Sequence, residues 1–257
     1  KKVLLWGGRS KARVIIEMIS EIYGSSAEVI AIFDKTLTKP TFSSNIKHYS
    51  QNFDINDICK QSTHFIICMG GEHGYARYLT AKKLEEFGLK PLSLISKYCI
   101  LDKLECVGSG LQAMPGAVAH KFSVIGDQCI LNTNSTIDHE CIIGNGVHIM
   151  GSASVAGCVT IGDYSTVGTN ATILPNIKVG NNIQATICIR RLFCCNSLPL
   201  AIFESIIKSP KNAEPLKAIH NIFLNPLKGA WDSFNSFFFN SGSIFDMNSF
   251  IYKIKSI

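Results

Sequence analysis

The chain has 257 residues, of which 46% are apolar and 17% charged, with 25 Lys and Arg against 19 Asp and Glu for a formal charge of +6. That length suffices for two domains with their own cores. The charge is modest and forms no basic stripe interleaved with aromatics, which excludes a nucleic-acid binder but leaves room for an anionic nucleotide or coenzyme A.

No run approaches ~18 apolar residues, so no membrane span is expected. The apolar run at 1–7 is too short for a signal peptide. Ten cysteines without a framework spacing read as reduced thiols of a cytoplasmic protein.

Residues 2–6 read as a buried strand, Gly7-Gly8-Arg9-Ser10 as a turn, and 11–22 as a helix with apolar spacing (Val14, Ile15, Met18, Ile19, Ile22) and Ser10 as N-cap. A second strand spans 28–33 and ends in Asp34; 35–52 looks irregular. A short helix covers 55–60 with Asp54 as a possible cap, and an apolar strand, 63–69, ends in Gly70-Gly71. A helix over 75–87 stops before Gly88, and 92–95 is a last strand. Strand and helix alternate, so 1–94 is a small Rossmann-like parallel α/β domain. Such a domain binds ligands at the carboxyl ends of its strands. These ends carry Gly7-Gly8-Arg9-Ser10-Lys11, Asp34-Lys35 and Gly70-Gly71, and the following helix N-terminus suits phosphate. The choice lies between a nucleotide cradle and ordinary βα turn chemistry. The GxGxxG fingerprint is absent, which argues against NAD.

From Ile95 to Val179, fifteen consecutive six-residue units open on an aliphatic residue: Ile95, Leu101, Val107, Ala113, Ala119, Ile125 and so on without insertion. Four residues after each opener stands a second, mostly small residue, broken only by Glu105. A period of six is neither helical nor two-fold; it fits a short strand plus a corner, repeated. Openers point inward and stack, three hexads make one triangular coil, and Gly, Asn and Asp supply the positive φ of the corners. Residues 95–185 therefore form a parallel β-helix. Cys99, Cys129 and Cys141 fall in its inward column as small apolar groups.

Within it, Asn132-Thr133-Asn134-Ser135-Thr136-Ile137-Asp138-His139-Glu140-Cys141 is unusually polar. A surface histidine beside carboxylates suits a general base; a solvated or core residue is the alternative. His120, His139 and His148 are the candidate ligands for a zinc, but they occupy different hexad positions, and no metal is expected.

The segment 130–144, with His148, Ala156-Gly157 and Ile173-Leu174-Pro175-Asn176, resembles the hexapeptide-repeat sugar N-acetyltransferases that acetylate a 4-amino nucleotide sugar, such as the bacillosamine-pathway enzymes, and the sialic acid O-acetyltransferase-like proteins. The resemblance covers about 1–184 and is strongest over 125–181. It implies a left-handed β-helix, a homotrimer, and acetyl-CoA as co-substrate in the groove between neighbouring β-helices. It also implies His139 as general base with Glu140 as its acidic partner. His148, Gly157 and Thr169 would contact acetyl-CoA, with the Gly157 N–H directed at the thioester carbonyl. A UDP- or dTDP-linked amino sugar would lie on Arg9, Ser10, Lys11, Asp34, Lys35 and Gly70. Arg9 and Lys11 stand where the family usually has a small residue and a histidine. The implied activity is acetyl transfer to a sugar amine for surface glycan or glycoprotein synthesis; the alternatives are sugar O-acetylation and an inactive scaffold.

The family continues with a Gly-rich coil and a cap after Asn182-Ile183. Here the hexad register stops at Gln184, and nine of the fifteen phenylalanines follow residue 190. The tail, 186–257, is either an appendage with helices at 198–208 and 213–224 that caps the open coil, or the translation of a shifted reading frame.

Overall fold

A computed structural model describes residues 1–50 and 55–185. The chain opens with β1 (Lys2–Trp6), α1 (Ser10–Tyr23), β2 (Glu28–Phe33), β3 (Lys47–Tyr49), α2 (Ile55–Gln61), β4 (His64–Ile67), α3 (Gly74–Glu86) and β5 (Lys90–Pro91). The five strands form one sheet in the order β3-β2-β1-β4-β5, every pairing parallel. Alternate side chains of β1 face opposite sides. Val3 and Leu5 pack with Ile15 and Ile19 of α1, while Leu4 packs with Ile58 of α2 and Leu84 of α3. Strand order reverses across β1 and β4, so the crevice at their carboxyl ends lies between the starts of α1 and α3.

Three expectations shift. The N-cap of α1 is Arg9 in extended conformation with no side-chain cap, and Ser10 is the first helical residue. The stretch 35–52 contains β3, whose polar Lys47-His48-Tyr49 lacks an apolar run but pairs with Ala31–Phe33 at the sheet edge. Of the strand expected at 92–95 only Leu94–Ile95 forms one, as the first rung of the β-helix, and the α/β sheet closes earlier, on β5. The suggested cap at Asp54 and the readings of the tail lie outside the described residues.

The β-helix has three parallel walls. The first holds Leu94–Ile95, Gln112–Ala113, Ile130–Leu131, His148–Ile149, Thr166–Val167 and Gln184–Ala185. The second runs from Ile100–Leu101 through Val118–Ala119, Thr136–Ile137 and Ser154–Val155 to Thr172–Ile173. The third runs from Cys106–Val107 through Val124–Ile125, Ile142–Ile143 and Thr160–Ile161 to Lys178–Val179. Partners are eighteen residues apart, as in Thr136↔Ser154, so three hexads do make one coil. Openers from Ala113 onward are buried, each large one stabilising by about 1.5–3 kcal/mol. Ile95 and Val107 remain 40% and 42% exposed, because an end coil has a neighbour on one side only. The register also continues one strand past the expected stop: Ala185 is buried, and Gln184–Ala185 pairs with Thr166–Val167.

The glycines directly after an opener serve a different purpose from the one expected. The positive-φ positions are Phe122, Gln128, Asn134, Glu140 and their successors every six residues, whereas Gly126, Gly144 and Gly162 lie outside that region. These three permit close coil-to-coil approach. A Cβ on Gly144 would lie 2.5 Å from Asp163 Oδ1, and one on Gly162 2.2 Å from Asn181 Oδ1. Those side chains form a ladder: Asp127, Asn145, Asp163 and Asn181 each accept the backbone N–H of the residue eighteen positions earlier, at 2.7–2.9 Å. Four polar members of the inward column are likewise satisfied, whereas Ser135 Oγ is buried without a partner among the described residues. Ser123 and Ser165 donate to the carbonyls of Asp138 and Gly180, and Cys129 and Cys141 to those of Gly144 and Ala156.

The walls differ in what covers them. On the first, the outward residues Leu94, Gln112, Ile130, His148 and Thr166 are all buried, whereas Ile100 and Ile142 on the other two are 59% and 55% exposed. The α/β part sits on the first wall. Arg77 of α3, fully buried, donates from Nε to the Gln128 carbonyl at 2.8 Å, from Nη2 to Gly146 at 2.7 Å and from Nη1 to Met69 at 3.3 Å. Gln112 donates to the Ile67 carbonyl at 2.9 Å, and Tyr75 and Tyr78 pack on Tyr164. Gly74 is required here, since a Cβ would lie 2.4 Å from the Gly146 oxygen. No helix among the described residues is long and apolar enough to cross a membrane.

Candidate active site

The corner joining the second and third walls carries His139 and Glu140. The His139 N–H donates to Asp138 Oδ1 at 2.7 Å, its carbonyl accepts the Cys158 N–H at 3.0 Å, and the Glu140 N–H bonds the Lys121 carbonyl at 3.0 Å. The backbone is thus fixed from the coils on both sides. His139 Nδ1 lies 2.9 Å from Glu140 Oε2. A carboxylate only accepts, so in the neutral imidazole the proton resides on Nδ1 and the Nε2 lone pair is free. Both side chains are about half exposed. Glu140 takes this position at φ 55°, a left-handed conformation uncommon outside Gly and Asn.

Gly157 stands one coil above His139. A Cβ there would lie 2.7 Å from His139 Nε2 and 2.9 Å from Cε1, so the absent side chain is what lets the ring lie where it does. The Gly157 N–H has no hydrogen-bond partner among the described residues. Gly157→Ala, at ordinary φ, keeps the fold but displaces the ring. The rate of any reaction in which His139 acts as the base is expected to fall about 100-fold, the scale of an ångström's misplacement, with an unchanged melting temperature. Gly151→Ala, whose Cβ meets only the Thr133 oxygen at 3.5 Å, is the tolerated control.

The second cluster is the crevice of the α/β part. Asp34 is buried; its Oδ2 accepts the Gly8 N–H at 2.8 Å and its Oδ1 the N–H and hydroxyl of Thr36, both at 2.8 Å. Burial opposes the charge, but those donors with nearby Arg9 outweigh it and hold the carboxyl below its ordinary value. Asp34 therefore braces the Gly8 turn, with Arg9, Ser10 and Lys35 exposed at the rim. Lys11, partly buried, reaches the Met69 carbonyl at 3.5 Å and passes under Gly70. Burial, then the charge of Arg77, lowers its pKa to about 7.

His148 belongs to this second cluster. It is 4% exposed on the first wall, with Nδ1 3.0 Å from the Gly71 carbonyl and Nε2 3.4 Å from Asn132 Nδ2. Burial, with the charges of Lys11 and Arg77 behind it, lowers its pKa from 6.5 to about 4, against the Gly71 bond. Between these values the unfolded chain binds the proton more readily. Stability is therefore full above pH 6.5 and falls towards pH 4, with a limiting loss of about 3 kcal/mol. Urea denaturation at about pH 7 and about pH 5 should show this fall in the wild type and a flatter profile in His148→Gln.

The expected residues thus occupy three places. His139, Glu140 and Gly157 come together at one corner. Arg9, Ser10, Lys11, Asp34, Lys35 and Gly70 surround the crevice, with His148 behind it. Thr169 is at the corner joining the first and second walls, its hydroxyl 3.9 Å from the Met150 sulfur. The His139 corner is opposite the first wall, so one chain does not join His139 to His148. The three histidines do not converge: only His120 shares the His139 corner, with Nδ1 3.6 Å from Asp138. Donor atoms of His139, Glu140 and Cys158 do converge, all within 4.8 Å of one another. Sequence reasoning missed Thr36, Arg77, Cys158 and also His48, whose Nε2 is buried without a partner near Gly8. Only Cys158 had a signal there: it is eighteen residues, one coil, from Glu140.

Residues 140–175 match the family model described as bacterial transferase hexapeptide (six repeats). The chain is similar to the acetyltransferase domain of PglB from Neisseria gonorrhoeae FA1090, at 20% identity and TM-score 0.61 over 72% of this chain and 88% of that one. It is similar to PerB from Caulobacter crescentus in complex with CoA and GDP-perosamine, at 21% and 0.65 over 74% and 89%. WeeI from Acinetobacter baumannii AYE matches at 18% and 0.53 over 72% and 96%. At these identities the likeness establishes the fold, an α/β part followed by a β-helix, and the family match establishes the hexapeptide repeat on it.

Proposed function

We propose, from a hexapeptide-transferase repeat carried on this fold, that the chain is an acetyl-CoA-dependent N-acetyltransferase acting on a nucleotide-linked amino sugar. The observation that carries the reading is His139, held by Glu140 through Nδ1 with Nε2 free beside the unsubstituted Cα of Gly157. The neighbours support the co-substrates: PglB is known with acetyl coenzyme A and PerB with CoA and GDP-perosamine. Residues 1–94 are assigned the nucleotide sugar and 95–185 the acyl transfer, in the cytoplasm, for glycan or glycoprotein synthesis.

The sugar amine attacks the thioester as the neutral base. His139 Nε2 takes its proton while the C–N bond forms, and Glu140 stabilises the resulting imidazolium. The Gly157 N–H is available to the oxyanion of the tetrahedral intermediate, which collapses with coenzyme A leaving as the thiol. The crevice supplies Arg9, Ser10, Lys11, Lys35 and Gly70 to the nucleotide, while Asp34 sets the turn.

Because the crevice lies on the first wall and His139 on the opposite corner, acceptor and base meet between copies. Hence a homotrimer is part of the proposal, with Thr169 of one copy facing acetyl-CoA beside His139 of the next; His148, 4% exposed and bonded to the Gly71 carbonyl, is covered by its own α/β part and is withdrawn as a coenzyme contact. The test is incubation with acetyl-CoA and UDP-, dTDP- or GDP-linked amino sugars, following thiol release, with light scattering for the assembly. Thiol release dependent on the amine, by a trimer, is the expected result. A trimer that turns over none of these sugars, or acetylates only hydroxyl acceptors, would overturn it.

A further inference from the structure

We propose that His139, Glu140 and Cys158 form a capture site for zinc, and that zinc held there switches the base off. The site stands on geometry alone; the switch rests on the reading of His139 as the base. His139 Nδ1 and Glu140 Oε2 are 2.9 Å apart, and Cys158 Sγ lies 3.9 Å from the same oxygen. One nitrogen, one oxygen and one sulfur donor thus lie together on adjacent coils, all within 4.8 Å of one another. Zinc takes this donor mixture, at about 2.0–2.3 Å from each atom, and three protein ligands leave a fourth position for water or an incoming thiolate. The Cys158 N–H bond to the His139 carbonyl fixes the two coils in register. All three side chains are solvent-accessible, so the ion reaches them and they are free to close around it.

Cys158 plays no part in acetyl transfer as proposed above, which leaves its thiol beside the base without a use. Zinc binding releases one proton, from the Cys158 thiol, which becomes a thiolate ligand. His139 ligates through Nδ1, now a lone pair, so the neutral imidazole carries its proton on Nε2 instead. That is the atom required to accept the proton of the amine. Glu140 is at the same time withdrawn into the coordination sphere. No change of charge on the ring and no redox step is involved; a change of tautomer is enough to disable it.

Two measurements on the full chain test this. Cobalt titration of the metal-free wild type should give one thiolate-to-cobalt charge-transfer band that is absent in Cys158→Ser. Zinc affinity should drop in that variant by more than the ~10–100-fold that losing a supporting contact costs. Serine suits the backbone there, since Ser152 holds the same conformation at φ 56°. In thiol-independent acetyl-transfer assays with a matched sugar, zinc should inhibit the wild type reversibly, with recovery on chelation. Cys158→Ser should keep the metal-free rate and resist zinc. Equal affinity and an equal cobalt band in both proteins would overturn the site; tight binding without inhibition would overturn the switch. A metal-free wild type inactive on every sugar would count against the transferase reading, with the titration still deciding the site.

Discussion

On the proposed function, His139→Ala is expected to lower the kcat of acetyl transfer by about 10²–10⁴-fold, the range general-base catalysis supplies, and to leave nucleotide-sugar binding intact. The separation follows from topology. The proposed base stands at the corner of the second and third walls, whereas the crevice around Gly8 and Lys11 belongs to the part covering the first wall. The substitution removes a half-exposed ring and no buried contact, so stability is also retained. Single-turnover rates with saturating acetyl-CoA, paired with calorimetric titration of the nucleotide sugar, check both halves. A variant working near the wild-type rate would remove His139 from the mechanism.

Arg77→Met lowers unfolding stability by about 3 kcal/mol, the outcome of losing three charge-assisted hydrogen bonds against relief from burying a charge. Methionine keeps the bulk of the stem but leaves the carbonyls of Gln128, Gly146 and Met69 without this donor. Burial lowers the guanidinium pKa to about 10, still far above neutrality, so the bonds are ionic at any working pH. Lysine is no substitute, because one ammonium cannot reach three carbonyls in different directions. Urea denaturation measures the loss, and amide exchange should locate it at α3 and the first wall. An unchanged midpoint would show that the contact between the two parts is held by apolar packing alone.

The β-helix was legible because its inward column depends only on the residue's own size and polarity. Fifteen apolar openers and the small residues behind them name the core without help from the rest of the chain. The His139–Glu140 contact was legible for a related reason: the two are sequence neighbours, so their meeting is local. What could not be read is whatever depends on one part meeting another. His148 and Gln112 look like surface residues of a hexad, and only the α/β part lying over them makes them buried. Arg77 looks like one more charge on a polar helix until its carbonyl partners, 51 and 69 residues away, are in place. β3 was hidden because an edge strand of Lys47-His48-Tyr49 takes its conformation from the neighbour it pairs with. The glycines after the openers were identified as special but explained by the wrong property, since crowding from the next coil leaves no mark in a local pattern.

The side-chain ladder of Asp127, Asn145, Asp163 and Asn181 has a direction. Each oxygen serves an amide eighteen residues nearer the N-terminus and never the reverse. As the chain leaves the ribosome, every newly made coil therefore holds at least one amide awaiting a group that has not yet been translated. Along the ladder, each layer is sealed by the next to emerge. Over this stretch, a nascent chain halted before residue 181 ends in a layer whose amide still awaits its side-chain partner.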